Sequence, residues 1–375
     1  MNNKNRILVI GGGIGGLAAA IGLRQKGFDV EVIERNRDWT VYHVGIIVQA
    51  NFIRALETLG LAQDAIKAGF PYRGVHFRDR SGNLVADLPG EPTIPGYPSD
   101  LGLTRPALHQ VLTNKVKDLG IPVRLGCSYD SVDDKGDHVA VRFSDGTAGK
   151  YQLVVAADGA YSKLRNVLFP GTPAPKYTGQ GVWRYNVPRP PEMHWAEIYL
   201  GKDGGKAGYV PLTEETMYVL AVFEEPGNPK FPPETLATEF RKRLDGYGGE
   251  LARCRELITD PSMVVYRPLE VCIMPDPWYK GRVVLIGDAA HSATPHLGQG
   301  AGMAVEDAVV LAEEWLAGHE DPAKALRRFM DRRFERALLV GQSSIKLGYL
   351  EMHPEEEGDP VAITDQIRKK LAEAI

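Results

Sequence analysis

The chain has 375 residues, of which 43% are hydrophobic and 25% are charged, so it can bury a large core, and we expect two closely packed domains. Its formal net charge is −4 with both signs interspersed, which argues against nucleic acid as a partner. The three cysteines, Cys127, Cys254 and Cys272, lie far apart and form no metal-binding or disulfide pattern, so we predict no metal site and a reducing compartment.

The N-terminal sequence runs directly into a strand and a glycine-rich turn, without the pattern of a signal peptide. No apolar run approaches the roughly 20 residues that a membrane-spanning helix needs. We therefore expect a cytoplasmic protein with no membrane span, present as a monomer or a homodimer.

The first elements form a compact βαβ unit. Residues 7–10 are a continuous apolar run, residues 17–25 are compatible with a helix, and residues 29–33 alternate as a strand. The elements predicted next are helices at 51–59 and 105–119 and short strands at 74–79 and 85–88.

The middle of the chain changes in texture. Residues 138–158 contain two strand-like runs joined at Asp145 and Gly146, which predicts a hairpin. Between residues 181 and 271, strand-like runs are separated by proline, glycine and charged breaks, with one helical stretch at 233–244. This pattern predicts a second, largely antiparallel domain inserted in the first.

The end of the chain returns to the first domain. Residues 282–286 are a continuous apolar strand, and apolar residues then recur at helical spacing from Ala301 to Trp315. Residues 322–350 and 360–374 are predicted to form C-terminal helices.

A glycine-rich turn, GGGIGG, lies between the first strand and the first helix. In its GxGxxG pattern Gly11 makes the tight turn, Gly13 lets backbone N–H groups approach a pyrophosphate, and Gly16 permits close packing of helix and strand. Glu34, at the end of the next strand, is placed to accept hydrogen bonds from ribose hydroxyls. The pattern predicts a dinucleotide site but does not distinguish NAD from FAD.

Two later motifs decide the cofactor. LVVAADGAYSKLR, with Asp158 and Gly159, resembles the DG motif of the class A FAD-dependent aromatic monooxygenases, the para-hydroxybenzoate hydroxylase and salicylate hydroxylase-like family. GRVVLIGDAAHSATPHLGQGAG, with Asp288, resembles the GD motif of that family and its extension, and Arg105 matches an arginine that contacts the flavin nucleotide there. The three motifs stand in the family's order from residue 7 to about residue 320.

The resemblance implies an activity and its co-substrates. It implies FAD as the cofactor, NAD(P)H as the reductant, and a flavin C4a-hydroperoxide, formed with O2, that hydroxylates a small aromatic or heteroaromatic substrate. Two alternatives remain open: another FAD-dependent oxidoreductase on the same scaffold, such as an epoxidase or a reductase, and a non-catalytic FAD-containing sensor.

The resemblance also implies the architecture. The predicted fold class is α/β, with a Rossmann-like FAD-binding domain, an inserted, mainly antiparallel β-sheet substrate domain, and C-terminal helices. The predicted ranges are 1–72, 100–175 and 275–330 for the FAD-binding domain, 73–99 and 176–274 for the substrate domain, and 331–375 for the C-terminal helices.

The predicted cofactor-binding residues come from these motifs and their flanks. Asp288, at the end of a buried strand, can accept hydrogen bonds from ribityl hydroxyls. The glycines that open the following helix can face the flavin, where the helix dipole stabilises its reduced anion. The full set is Gly11, Gly13, Ile14, Gly16, Glu34, Arg35, Arg105, Asp158, Asp288, Pro295, Gly298, Gly300 and Ala301.

The substrate-site residues are harder to place. Some relatives carry a histidine base where this chain has Ile47, which cannot transfer a proton, so a phenol-activating base, if one is present, must come from elsewhere. His296 lies in TPHLGQG, a motif that abuts the reactive face of the flavin in the resembling family, so it is the predicted base, the alternative being a hydrogen-bonded loop histidine. Tyr209 and Tyr185, on the inserted sheet, are the other catalytic candidates, although each could instead be a core aromatic. Arg184 could clamp a carboxylate, but an arginine on a strand is expected to be exposed.

Overall fold

The computed structural model describes residues 5–41, 43–172, 174–201 and 204–375. Residues 1–4, in the N-terminal sequence that we expect to lack a signal peptide, lie outside the described residues. In the described part of the chain, no helix is both long enough and apolar enough to cross a membrane. The same residues contain no group of histidine, cysteine, aspartate and glutamate side chains suited to hold a metal ion.

Strands and helices alternate at first, and a strand-rich segment and a helical C-terminus follow. The strands are β1 Arg6–Ile10, β2 Asp29–Glu34, β3 Gly45–Gln49, β4 Phe70–Tyr72, β5 Gly74–Arg78, β6 Leu84–Pro89, β7 Asp100–Thr104, β8 Val123–Leu125, β9 Tyr129–Asp134, β10 Val139–Phe143, β11 Ala148–Tyr151, β12 Leu153–Ala156, β13 Lys176–Pro188, β14 Ala196–Leu200, β15 Gly205–Pro211, β16 Thr216–Glu224, β17 Val265–Ile273, β18 Tyr279–Lys280 and β19 Val283–Leu285. The helices are α1 Ile14–Gln25, α2 Ala50–Thr58, α3 Ala62–Ala68, α4 Arg105–Asp118, α5 Lys163–Leu168, α6 Leu236–Arg243, α7 Gly249–Leu257, α8 Asp288–His291, α9 Gly300–Gly318, α10 Pro322–Met352 and α11 Pro360–Ala372.

A six-stranded sheet with the order β18-β19-β12-β1-β2-β8 lies in the largest hydrophobic core. Its strands pair in parallel, except β18 with β19. The carboxyl ends of parallel strands meet at one edge, which is where open α/β sheets bind ligands. That edge brings together the glycine-rich turn after β1, Glu34 of β2, Asp158 after β12 and Asp288 after β19.

The hairpin that we predicted within residues 138–158 is shorter in the structure. β10 pairs with β11, and β9 completes a three-stranded antiparallel sheet. The second predicted run breaks at Gln152, after which β12 pairs in parallel with β1 and β19. Every residue of β12 is buried, as is typical of a strand inside a parallel sheet and not of a hairpin at the surface.

A seven-stranded sheet with the order β17-β13-β16-β15-β14-β5-β6 forms the second half of the molecule. It is antiparallel except for β14 with β5. Its strands all come from the ranges 73–99 and 176–274, while the exact domain boundaries stay predictions. One face of the sheet packs against α6 and α7 in a separate core around Trp183 and Phe240.

The two halves approach each other closely at the small sheet β3-β7-β4. A Cβ atom added at Gly102 of β7 would lie 1.8 Å from the carbonyl oxygen of Pro211 at the end of β15. Only glycine permits this contact, through which the end of β15 in the seven-stranded sheet packs against the small sheet.

Candidate active site

Three cavities line the edge where the two sheets meet. The turn cavity lies around the glycine-rich turn and Glu34, and the central cavity lies around Asp288. The sheet cavity lies on the inner face of the seven-stranded sheet. The turn and central cavities share Gly13, Ala157 and Gly159, so together they form a continuous path.

The turn cavity contains the predicted residues Gly11, Gly13, Glu34, Arg35 and Asp158. The Glu34 carboxylate accepts hydrogen bonds at 2.8 Å from the backbone N–H groups of Gly12 and Asn36, which fix it at the end of β2. Two polar atoms of residues that line this cavity, Oδ1 of Asp158 and the hydroxyl of Tyr129, have no hydrogen-bond partner within the described ranges.

The glycines of the turn have separate structural roles. Gly11 has a φ of 115°, and a Cβ there would lie 2.3 Å from the carbonyl oxygen of Ala157. Gly16 lies in α1 and lines neither cavity; its missing Cβ leaves room for the Gly11 carbonyl oxygen, at 2.0 Å from the added atom. A Cβ at Gly13, in contrast, would meet no atom within 4 Å. Gly13 therefore faces open space, whereas Gly11 and Gly16 permit close packing.

The central cavity is lined by the remaining predicted cofactor residues. Asp288 projects into it, and burial raises the pKa of this carboxyl group, an effect that the charges of Arg105 and His291 oppose. Helix α9 begins at Gly300 without a side-chain cap, so its first N–H groups are free to bind an anion. The predicted residues that line this cavity are Gly13, Ile14, Arg105, Asp288, Pro295, Gly298, Gly300 and Ala301.

A buried ion cluster supports the turn that carries Asp288. Asp307 of α9 accepts hydrogen bonds from the Gly287 N–H at 2.9 Å, from His291 Nε2 at 2.6 Å and from Arg333 Nε at 2.8 Å. Burial raises the pKa of Asp307, but His291 and Arg333 more than offset this effect, so the pKa lies below its usual range. Asp307 therefore positions the turn rather than contacting a ligand.

The sheet cavity is mostly apolar. Its floor is the inner face of β13 to β16 and β5, and its roof is formed by residues 295–298 and by α10 and α11. Apolar side chains on its floor and roof include Val75, Phe77, Val182, Ile198, Leu200, Val210, Leu220, Val222 and Leu347. It meets the central cavity at a wall, hereafter the shared wall, formed by Ile47, Arg184, Tyr218, Pro295 and Gly298.

The position of Arg184 differs from our expectation of an exposed strand arginine. The side chain is half-buried in the shared wall, and within the described ranges it forms no hydrogen bond or ion pair. Burial lowers the pKa of Arg184, and the nearby Tyr218 opposes this shift. The cause of the error is that the inner face of the sheet borders a cavity and not solvent.

Tyr218 is a residue of the shared wall that we did not predict. Its ring packs directly over Gly45, where an added Cβ would lie 2.1 Å from Tyr218 Cδ1. Burial raises the pKa of Tyr218 to about 12, although Arg184 opposes the shift. The hydroxyl has no hydrogen-bond partner in the part of the chain that the structure describes, and it is therefore available to a ligand.

Tyr209 and Tyr185 do not lie in the cavity, so their prediction as catalytic residues is wrong. Both pack on the opposite face of the sheet, in the core with α6 and α7. The Tyr209 ring lies 6.1 Å from that of Tyr199, and the Tyr185 hydroxyl accepts a hydrogen bond of 3.4 Å from the backbone N–H of Asp260. Side chains alternate along a strand, and here it is the neighbours of these tyrosines that face the cavity.

His296 lines the sheet cavity, but both ring nitrogens have protein partners. Nδ1 lies 2.8 Å from Thr294 Oγ1, and Nε2 lies 3.1 Å from Glu351 Oε2. Burial lowers the pKa of His296, and the Glu351 carboxylate opposes this effect. In this arrangement His296 is a hydrogen-bonded loop histidine, the alternative to a base, because neither nitrogen is free to accept a substrate proton.

The C-terminal helices contribute polar groups to the roof that the motifs do not contain. Glu351 of α10 forms an ion pair of 2.6 Å with Lys206 of β15. Burial raises the pKa of Glu351, but Lys206 and His296 more than offset this and lower it to about 2. Arg368 of α11 forms an ion pair of 2.7 Å with the buried Asp100. Charged pairs thus attach the roof to β15 of the seven-stranded sheet and to β7 of the small sheet.

Comparisons with known proteins identify the family. A family model described as "FAD binding domain" matches residues 4–335. The chain belongs to the class A FAD-dependent monooxygenases. It is 32% identical over 351 residues to 2-heptyl-3-hydroxy-4(1H)-quinolone synthase of Pseudomonas aeruginosa, covering 92% of this chain and 89% of that one. It is 30% identical over 359 residues to 6-hydroxynicotinate 3-monooxygenase of Bordetella bronchiseptica, covering 92% and 91%.

A solved structure resembles this monooxygenase over nearly its whole length. The structure is that of Klebsiella pneumoniae HpxO in complex with FAD and uric acid, with a TM-score of 0.84 and 27% identity, covering 98% of this chain and 92% of the other. The similarity includes the C-terminal helices, for which the sequence motifs gave little indication.

The turn and central cavities of the monooxygenase fit FAD. Gly13 and Gly300 line the central cavity, and a Cβ added at either would meet no protein atom within 4 Å, so their backbones border open space that a cofactor can approach closely. The unpartnered Asp158 Oδ1 and Tyr129 hydroxyl border the half of the path that would hold the adenosine. The other half, beyond Gly13, leads past Asp288 to the shared wall, so an isoalloxazine ring there would border the sheet cavity.

Proposed function

We propose that this monooxygenase hydroxylates a small aromatic or heteroaromatic substrate, with FAD as its cofactor and NAD(P)H and O2 as co-substrates. The observation that carries the proposal is the shared wall, through which the path formed by the turn and central cavities borders the mostly apolar sheet cavity. A mostly apolar cavity with a few polar groups in its wall suits a small ring compound. The names of the two relatives, a quinolone synthase and a hydroxynicotinate monooxygenase, support a ring substrate.

Different residues along the turn and central cavities would bind different parts of FAD. Glu34 would hold the adenosine ribose, and the N–H groups of Gly13 and Ile14 would hold the pyrophosphate. Asp288 would accept hydrogen bonds from the ribityl chain, and the uncapped start of α9 at Gly300 would stabilise negative charge on the ring system. When bound, FAD supplies the redox chemistry of oxygen transfer.

The chain's own contribution to substrate chemistry lies in the shared wall. An oxygen substituent of the ring, placed beside Arg184, would meet a guanidinium that has no carboxylate partner within the described ranges. Arg184 would stabilise a phenolate or an enolate and so favour loss of the substrate proton. Tyr218, with a pKa of about 12, keeps its proton at neutral pH and would donate a hydrogen bond to the same oxygen.

The remaining lining keeps this chemistry dry. The apolar floor, with Leu220 and Ile198 facing the cavity, excludes water from the ring and strengthens each charge interaction in the wall. His296 is held by Thr294 and Glu351, so we assign it a role in holding the roof. In this arrangement the substrate hydroxyl would lose its proton to solvent water as the substrate enters, because Arg184 stabilises the resulting anion, and no histidine base is needed.

The test is oxygen incorporation by the purified holoprotein. NADH and NADPH oxidation is measured with a panel of phenols, hydroxybenzoates, hydroxypyridines and hydroxyquinolines, and products formed under ¹⁸O2 are analysed by mass spectrometry. One ¹⁸O atom in the product for each NAD(P)H oxidised supports the proposal. Stimulated oxidation with reduction of the compound and no label would indicate a reductase instead, and no stimulation across the panel would favour a sensor.

A further inference from the structure

The peptide between Gly12 and Gly13 in the glycine-rich turn can rotate unless other residues hold it. Gly11, Gly12 and Gly13 follow one another, so no side chain resists rotation of the peptide between Gly12 and Gly13. The C=O and N–H of one trans peptide point in opposite directions. The direction of the Gly12 carbonyl therefore decides whether the Gly13 N–H points towards the cavities.

Two ring N–H groups converge on the carbonyl oxygen of Gly12. Trp39 Nε1 lies 2.9 Å from it, and His109 Nε2 lies 3.0 Å from it. A carbonyl oxygen only accepts, so both ring nitrogens must donate, and His109 carries its proton on Nε2. The two rings pack edge to face with centroids 5.5 Å apart, so each restricts the movement of the other.

The neighbouring backbone groups are also accounted for. The Gly12 N–H donates to Glu34 at 2.8 Å, and the Gly13 carbonyl accepts from the Leu17 N–H at 2.9 Å. Within the described ranges the Gly13 N–H has no hydrogen-bond partner, and Gly13 lines both the turn cavity and the central cavity. The free donor of the turn is thus the one on the cavity side.

We propose that Trp39 and His109 are positioning residues for FAD, which hold the Gly12 carbonyl away from the cavities and thereby direct the Gly13 N–H at the pyrophosphate. Neither side chain lines the turn cavity or the central cavity, so both act through the Gly12 peptide. The inference concerns cofactor affinity and goes beyond the proposed reaction, so it can fail or hold independently of the substrate.

The experiment measures the Kd of FAD for full-length apoprotein by quenching of flavin fluorescence. Trp39→Phe and His109→Phe each remove the N–H donor and keep an aromatic ring, whereas His109→Gln restores a side-chain N–H. The matched control is Trp278→Phe, because Trp278 Nε1 also donates to a buried carbonyl, that of Met274 at 3.1 Å, but outside the cavities.

We expect each phenylalanine variant at the turn to raise the Kd of FAD about tenfold, since one hydrogen bond to a buried acceptor is lost. His109→Gln should recover part of the loss, and Trp278→Phe should leave the Kd unchanged. An unchanged Kd in the Trp39→Phe, His109→Phe double variant would overturn the proposal.

Competition by fragments of FAD separates positioning from general loosening. ADP carries the two phosphates and adenosine carries none. A misdirected Gly13 N–H should therefore weaken the binding of ADP by about the same factor as that of FAD and leave the binding of adenosine unchanged. Equal weakening of adenosine, together with a lower melting temperature of the apoprotein, would also overturn the proposal, because the two side chains would then only stabilise the fold.

Discussion

Arg333→Met tests the buried ion cluster that supports Asp288. Arg333 is fully buried, with Nη1 2.6 Å from Glu306 and Nε 2.8 Å from Asp307, and both carboxylates are fully buried as well. Methionine keeps an unbranched apolar stem but lacks the guanidinium group, so the variant leaves two buried carboxylates with fewer partners. Removing one partner of a buried ion pair costs about 3–5 kcal/mol, and we expect the free energy of unfolding to fall by that amount.

Arg336→Met is the matched comparison. Arg336 also bonds to Glu306, at 2.8 Å, but its side chain is 11% exposed, and Arg333 still compensates Glu306 when it is removed. We expect a loss of about 1 kcal/mol for this variant. Urea unfolding followed by tryptophan fluorescence measures both values. Equal losses in the two variants, or a loss below about 1 kcal/mol for Arg333→Met, would refute the reasoning.

The stability of Arg333→Met should also depend on pH in a predictable direction. The pKa of Asp307 in the folded protein lies below its value of about 3.9 in the unfolded chain, so its contribution to stability is present above that value and is lost as the pH falls below it. Arg333→Met removes one cause of the lowered pKa. The acid-induced loss runs from the unfolded pKa down to the folded pKa, so a smaller difference between the two gives a smaller loss. We therefore expect the free energy of unfolding of the variant to fall less than that of the native protein as the pH is lowered from about 6 to about 3, as urea unfolding at each pH would measure.

Three further predictions concern the shared wall. Gly45→Ala places a Cβ 2.1 Å from Tyr218 Cδ1, so we expect about 1–3 kcal/mol of destabilisation by urea unfolding and weaker substrate binding. Arg184→Gln should lower kcat/KM for a hydroxylated substrate about 10- to 100-fold in the NAD(P)H oxidation assay, with partial recovery in Arg184→Lys; an unchanged kcat/KM would exclude Arg184 from the reaction. In the pH profile of kcat/KM, the pKa of the acid limb should change with the pKa of the substrate hydroxyl across a series of substrates, and His296→Gln should retain that limb. An acid limb whose pKa is the same for all substrates and that disappears in His296→Gln would restore His296 as the base.

The nucleotide edge was predictable because its signals are local. Strand, glycine-rich turn and helix adjoin in sequence, and positive φ at Gly11 and close approach at Gly16 are conditions that glycine alone meets. Of the predicted cofactor-binding residues, all except Gly16 line the turn or central cavity. Parallel pairing then brings the distant Asp158 and Asp288 to the same edge.

The orientation of the seven-stranded sheet was not predictable in the same way. Alternation along a strand correctly separates Tyr185 from Arg184 but does not say which of them faces the cavity. Both faces of this sheet are covered, one by α6 and α7 and the other by the cavity and its roof, so both carry large apolar residues. Without a solvent-exposed face, the sequence offers no polar row to mark the outside.

The roof was missed because its contacts are long-range. Glu351 and Arg368 look like surface charges on amphipathic helices, and their partners, Lys206 and Asp100, lie far away in the sequence. Helix α10 spans 31 residues and returns from the nucleotide half to the sheet, which no local pattern indicates.

These placements bear on how the substrate is activated. A histidine beside the GD motif suggested a base, but its two nitrogens are engaged by Thr294 and Glu351. The group that lacks a partner is Arg184, and an uncompensated guanidinium in a wall of low polarity is costly unless an anion comes to it. A substrate that ionises on binding supplies that anion. The attraction between Arg184 and the anion, which is absent in the free protein, therefore favours the reactive phenolate or enolate.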